Sequence, residues 1–379
     1  MMKPIVNPDD FPGAQHSTYL NAANVALMYK GAEEAIADWQ KDVAENGSMN
    51  FDEFAEAGVF DELHVVAARL LNASPDDIAV GSSATELLSS LAWAVAPARD
   101  KNVVSTDIVF PSTIYPWQRV ANFTGCEIRF AQGENSYANP DAIIQLIDKN
   151  TKVVCISHVE YLGGQRFDLA RLGAAAHERG ALFVVDATQS AGAIPIDAPG
   201  YAIDALVCGG YKWLCGPFGA AIMYLDPELH TALEPGLVGF RSHADMWDLR
   251  ADRIEYPKTA KRFEYSTMAF GCALGLRRSI EYLLNIGIER IFKYNKYLSD
   301  ELIQGLHDRD VDITSPLNEA ERTSIVTARF QGQDSLKIAQ QLKAARVAVS
   351  CRQDIIRFSP HVYNNITDIE RALECIDDI

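Results

Sequence analysis

Two stretches of this sequence place reactive side chains at the ends of short apolar runs. In LFVVDATQSAG four apolar residues, 182–185, run into Asp186, and Gln189 follows on the turn. In ALVCGGYKWLCGPFG an apolar run ends in Gly209 and Gly210, and Tyr211 and Lys212 come next. Asp186 and Lys212 are 26 residues apart, a carboxylate and an amine at the ends of consecutive strands. Such a pair is either a buried ion pair or part of a site, because ligands of open α/β sheets sit beyond the carboxyl ends of the strands. A third stretch, GSSATELLSSL, reads as a strand, a turn of small residues and a helix opening at Ala84 and Thr85. Backbone N–H groups and the helix dipole make such a start a place for an anion.

The elements that must position these groups show in the hydrophobic pattern. From Ile78 to Leu225, Val- and Ile-rich runs (IAVGSS, VVSTDIVF, EIRFA, KVVCISHV, LFVVDAT, ALVCGG, AAIMYL) alternate with helical stretches such as Ala84 to Ala96, Pro140 to Ile147 and Leu169 to Arg179. Continuous apolar runs mark strands buried on both faces, and the alternation predicts a largely parallel α/β sheet covered by helices. Gly180 is a fitting stop for the third helix. After Arg250 the pattern changes to a long helix, Phe270 to Asn285, closed by Gly287, then a further helix and a short mixture of strands and helices. Thr367 and Glu370 have the spacing of a capping box ahead of Ile369, Leu373 and Ile376.

Composition narrows the function classes. The 379 residues are 48% hydrophobic and 22% charged, and the formal net charge of −17 repels nucleic acid and anionic membrane surfaces. No apolar run approaches the roughly 18–20 residues of a membrane span, and Met1 to His16 lacks a secretory pattern. A cytoplasmic protein with no nucleic-acid or membrane partner is expected. The seven Cys and eight His are scattered without C-x-x-C or H-x-x-x-H spacing, so neither a disulfide framework nor a metal site is expected.

Taken together, D-x-x-Q at the first strand end, YKW at the second and the terminal R-x-S-x-x-x-YN resemble the pyridoxal-phosphate enzymes of fold type I. More narrowly they resemble the class V aminotransferase group, which holds cysteine desulfurases, kynureninases, isopenicillin N epimerase-like proteins and several carbon-sulfur lyases. The resemblance runs from Tyr19 to Ile376. It implies an α/β fold of that type: an N-terminal arm (1–20), a large cofactor-binding domain (21–250) around a mainly parallel seven-stranded sheet, and a small C-terminal α+β domain (251–379).

The resemblance also implies roles. Lys212 would carry pyridoxal 5′-phosphate as a Schiff base and later act as a base. Asp186 would keep the pyridine nitrogen protonated, so that the ring accepts electrons, with Gln189 near the ring hydroxyl. Ala84, Thr85 and Tyr211 fall on phosphate positions. Thr267, in RFEYST, matches a residue that in relatives reaches the partner subunit's phosphate, which implies a homodimer with shared active sites. Gly209 stands where a Ser or Thr often supplies a phosphate contact. Phe110 takes the place of the ring that stacks on the cofactor, although a lone Phe also suits a core. Tyr161 stands where desulfurase-like relatives carry an Asn, and its hydroxyl faces the cofactor, faces the substrate, or simply packs.

At the other end, Arg357 matches the arginine whose planar fork holds a substrate α-carboxylate, implying a small α-amino acid as substrate. Arg352 assists, lines the mouth or, as the preferred reading, is simply solvated at the surface. Asn24 and Asn46 are candidates for the substrate pocket. Cys351 lies six residues before Arg357, without the Gly-His-Cys surroundings and longer loop of the desulfurases, which disfavours persulfide chemistry. The preferred reading is a carbon-sulfur β-lyase acting on a cysteine thioether or sulfoxide, similar to the lyases of thiohistidine biosynthesis, with Tyr161 protonating the departing sulfur. An aminotransferase is the alternative, followed by an epimerase or decarboxylase.

Overall fold

The computed structural model describes residues 2–378. Seven strands form the main sheet: β1 (Ile78–Gly81), β2 (Asn102–Thr106), β3 (Glu127–Ala131), β4 (Thr151–Ser157), β5 (Leu182–Asp186), β6 (Ala205–Gly209) and β7 (Ala221–Leu225). Their order is β1-β7-β6-β5-β4-β2-β3. β7 pairs antiparallel with both of its neighbours, and the other pairings are parallel. The expected mainly parallel seven-stranded α/β sheet is what the chain builds.

Burial on both faces explains the unbroken apolar runs. Along β4, Val154 and Ile156 enter one core while Val153 and Cys155 enter another, and β5 divides Phe183 and Val185 from Val184 in the same way. This is the two-residue period of a strand with helices on each side. On one face lie the helices α1 (Lys30–Asn46), α2 (Asp61–Leu71), α5 (Leu169–Glu178) and α6 (Phe270–Ile286), and on the other α3 (Ala84–Val95) and α4 (Pro111–Thr124).

A third core gathers Leu20 with residues of α7 (Ile288–His307), α8 (Ser335–Ala344), α9 (Ile366–Asp377) and a small antiparallel sheet. That sheet runs β8-β9-β11-β10, from β8 (Asp312–Ile313), β9 (Val326–Arg329), β10 (Ser350–Arg352) and β11 (Ile355–Phe358). Because α6 packs in the first core, against α1 and α2, we propose that the small domain begins near residue 288, after Gly287. Among the described residues, no helix is long and apolar enough to cross a membrane.

Two local expectations change. The strand predicted through VVSTDIVF stops at Thr106; Phe110 instead caps α4, extended at φ −61° and ψ 135°, with Pro111 supplying the first helical residue. The final helix is capped two residues before Thr367. The Asn365 side chain accepts from the Thr367 N–H at 2.9 Å, and the Asp368 carboxylate accepts from the Asn365 N–H at 2.9 Å. The box is therefore Asn365 with Asp368, the asparagine carbonyl taking an N–H of the first turn and the Asp368 carboxylate taking the cap's own N–H.

Candidate active site

The carboxyl ends of β1, β4, β5 and β6 open into one cleft with about 540 Å³ of free space. It brings together Ala84, Thr85, Phe110, Tyr161, Asp186, Gln189, Tyr211 and Lys212, eight positions the sequence singles out. Lys212 is buried, its Nζ 5.5 Å from the centre of the Phe110 ring and 5.6 Å from that of Tyr211. Burial pulls the amine down to about 8, the Asp186 carboxylate works against that shift, and Arg357 adds to it.

The loops that carry Asp186 and Lys212 are locked together. A Cβ on Gly192, which sits at φ +92°, would lie 2.5 Å from the Trp213 carbonyl oxygen, so only glycine permits this approach. The Trp213 Nε1–H donates to Gln189 Oε1 at 2.8 Å, and Gln189 Nε2 donates to the Ala23 carbonyl at 2.9 Å. Gln189 thus spends one donor on the scaffold and keeps a second amide hydrogen for the cleft. Asp186 accepts from Thr113 Oγ1 and from the Thr188 N–H, both at 2.9 Å, which fixes the plane of its carboxylate.

At the opposite wall, Ser83 caps α3 by accepting from the Glu86 N–H at 3.1 Å. The N–H groups of Ala84 and Thr85 lie in the helix's first turn, where no intrahelical acceptor exists. Glu86 is held away by the Ser82 N–H at 3.0 Å and by the Tyr265 hydroxyl at 3.0 Å. Thr188 lines the cleft beside Gly209 and accepts the Gly209 N–H at 3.2 Å, leaving its own hydroxyl hydrogen to donate. A hydroxyl is therefore present where Gly209 lacks one.

Arg357 is 2% exposed. Its Nη1 donates to the Tyr161 backbone carbonyl, while its Nε has no partner. Burial, followed by the charge of Arg352, weighs against the cation. A guanidinium nonetheless remains charged at any working pH, so this buried fork calls for an anion. The Tyr161 and Phe110 rings meet in a T-shape, with centroids 5.2 Å apart.

The remaining candidates lie elsewhere. Asn24 sits on the N-terminal segment that crosses the lysine loop, where Ala26 N–H donates to the Tyr211 carbonyl at 3.1 Å and Asn24 Oδ1 accepts from Arg352 at 3.4 Å. Asn46 is not brought to the cleft of its own chain: at the end of α1 it donates to Asp42 at 2.7 Å. Thr267 is exposed and lies outside the same chain's cleft. Sequence reasoning missed Thr113, Thr188 and the buried Glu160, whose acid burial pushes up to about 8. Thr188 stands inside the D-x-x-Q motif and was findable, whereas Thr113 reaches Asp186 from a different element.

A buried amine facing a fixed carboxylate, helix-start donors for a phosphate and an unpaired guanidinium form a donor set that fits pyridoxal phosphate and an amino-acid carboxylate. The aminotransferase class-V family description matches residues 19–372, and the chain belongs to that family, the pyridoxal-phosphate-dependent fold type I group its motifs resemble. It is 27% identical over 366 residues to the uncharacterized aminotransferase YcbU of Bacillus subtilis, covering 96% of this chain and 95% of that one. It is 26% identical over 387 residues to a probable cysteine desulfurase of Pyrococcus abyssi, covering 98% and 96%. The apo structure of a cysteine desulfurase from Thermococcus onnurineus shares the fold at TM-score 0.89 and 24% identity, over 100% of this chain and 98% of that one.

Proposed function

We propose that this chain is a pyridoxal-phosphate-dependent carbon-sulfur β-lyase that acts on a cysteine thioether or sulfoxide and releases pyruvate, ammonia and a sulfur product. The observation that carries the choice is the orientation of Cys351. In the β10–β11 hairpin Cys351 pairs with Ile356 and Ser350 with Arg357. Cross-strand partners share a face and successive residues alternate, so Cys351 and Arg357 point to opposite sides. Cys351 packs with Ile356 and Phe358 against the small-domain core, and burial pushes its thiol up. A desulfurase cysteine must meet the substrate's sulfur; this one faces away from it.

The bound cofactor supplies an electron sink for the substrate's α-carbon. Lys212 Nζ, left partly uncharged by burial, takes the α-proton. Arg357 holds the α-carboxylate by its fork, anchored through Nη1 on Tyr161. Asp186, fixed by Thr113 and Thr188, would hold the proton of the cofactor's ring nitrogen. The Cα–H and Cβ–S bonds break, a Cα–Cβ double bond forms, and sulfur leaves with the electron pair and takes a proton from the Tyr161 hydroxyl. Water converts the released enamine to pyruvate and ammonia. A dimer in which Thr267 completes the neighbouring phosphate site belongs to the same reading, supported by its exposure outside its own cleft.

The test is incubation of the holoenzyme with a panel of cysteine conjugates without any keto acid. Pyruvate, ammonia and one sulfur product, a thiol from a thioether or a sulfenic acid from a sulfoxide, released in equal amounts are expected. Turnover that needs a keto-acid acceptor and returns a new amino acid would replace elimination by transamination.

A further inference from the structure

We infer that Arg352 recognises a second anionic group on the substrate, so that the amino acid taken here is dicarboxylic or carries an equivalent distal anion; this rests on Arg357 holding the α-carboxylate. The hairpin register is the starting point. Arg352 pairs with Ile355, and Ser350 with Arg357, so Ser350, Arg352, Ile355 and Arg357 all project from one face of the hairpin. The face is fixed on the large domain's side, because Ser350 Oγ donates to Asn21 Oδ1 at 2.7 Å and Arg357 reaches Tyr161. Arg352 and Arg357 are thus diagonal neighbours, a relation that sets Cα atoms about 7–8 Å apart.

Arg352 is held rather than free. Its Nη2 donates to Asn24 Oδ1 at 3.4 Å and its Nη1 to the Cys351 carbonyl at 3.2 Å. Asn24 lies between Ala23, whose carbonyl takes Gln189 Nε2, and Ala26, whose N–H meets the Tyr211 carbonyl. The exposed guanidinium is therefore oriented by two uncharged acceptors, and neither neutralises it. Its charge is felt inside, since it weighs against the cations of both Lys212 and Arg357. Asp354, the acid on the hairpin turn, is exposed. Two guanidinium groups on one face, each hydrogen-bonded among the described residues to uncharged carbonyl oxygens, suit a substrate with two anionic groups better than one with a single carboxylate.

The test reads binding apart from elimination. Holoenzyme is titrated with L-2-aminoadipate, L-glutamate and L-norleucine, none of which carries a leaving group at Cβ, following the cofactor's visible absorption. At least one acid should bind tenfold or more tightly than norleucine, and the advantage should shrink with added salt. Arg352→Gln should abolish the preference while changing norleucine's Kd less than threefold, and Arg352→Lys should restore part of it. Equal affinities in the wild type, or equal weakening of all ligands by Arg352→Gln, would overturn the inference. A different pattern, in which no ligand binds or Arg357→Gln leaves every Kd unchanged, would bring down the amino-acid reading of the site and this inference with it.

Discussion

His361 donates from Nε2 to the backbone carbonyl of Trp213, 3.0 Å away, and Trp213 is the residue directly after Lys212. A carbonyl only accepts, so Nε2 carries the hydrogen and Nδ1 receives the Asn295 amide at 3.0 Å. The small domain thus grips the lysine loop four residues beyond Arg357, and the two groups proposed to hold substrate and cofactor are tied through one imidazole.

His361→Ala should remove that grip, leaving a buried carbonyl unpaired at a cost of about 1–3 kcal/mol. Melting temperature is expected to drop by several degrees, and turnover should fall with it. Burial holds the imidazole down, to about 4 from an ordinary 6.5. The unfolded chain binds a proton below 6.5 and the folded one does not, so His361's share of stability is present above 6.5 and is lost as pH falls from 6.5 toward 4. Denaturant unfolding at pH 7.5 and pH 5 should show a smaller pH dependence in His361→Ala than in the wild type.

Borohydride reduction of the holoenzyme followed by peptide mapping should place the pyridoxyl group on Lys212. Lys212→Ala should lower turnover by roughly 10³ or more, since it removes both the attachment point and the base. A label on a different lysine would end the assignment.

How much of this was legible in the sequence differs between parts of the site. The strand-end groups Asp186 and Lys212 were readable because Asp186 closes an apolar run and Lys212 comes on the turn just after one, and a strand that stops exposes the side chains that follow it. Arg357 was readable only through its motif, because its buried fork is defined by Tyr161, 196 residues away in the chain. Thr113 was invisible for the same reason: its bond to Asp186 spans 73 residues and depends on α4 starting at Pro111. Phe110 misled the strand boundary, since an apolar residue capping a helix looks like the continuation of the strand before it. The packing of α6 against α1 leaves no local trace after Arg250, where only the hydrophobic pattern changes.

Arg357→Lys should lower kcat/KM by about 10² with the fold intact, because a point charge cannot reproduce two parallel hydrogen bonds to a carboxylate. Circular dichroism and melting should stay near wild type while kcat/KM falls. An unchanged kcat/KM would remove the carboxylate from this position.

Mixing Lys212→Ala and Thr267→Ala subunits tests the proposed shared site. Each variant alone should be weak, and exchange should create heterodimers with one site intact at both positions. Recovery of up to about a quarter of wild-type activity is the statistical expectation for random pairing, in which half the dimers are mixed and each has one good site. No recovery after exchange is verified by native mass spectrometry would mean that Thr267 does not serve a neighbouring subunit.

Cys351→Ser separates direct release of sulfur from its capture on the enzyme. If Cys351 only packs against the small-domain core, the substitution exchanges a half-buried thiol for a hydroxyl, a change costing about 1 kcal/mol of stability and touching nothing in the cleft. Activity on cysteine conjugates should then remain above half of wild type. For the cysteine to accept sulfur it would have to turn to the other face of β10, and a one-residue shift of register would carry Arg352 and Ser350 off that face along with it. Capture and the present arginine geometry are therefore mutually exclusive in this hairpin. Loss of activity in Cys351→Ser, together with a persulfide on Cys351 in the wild type by mass spectrometry, would show that the hairpin re-registers during turnover and that the enzyme is a desulfurase.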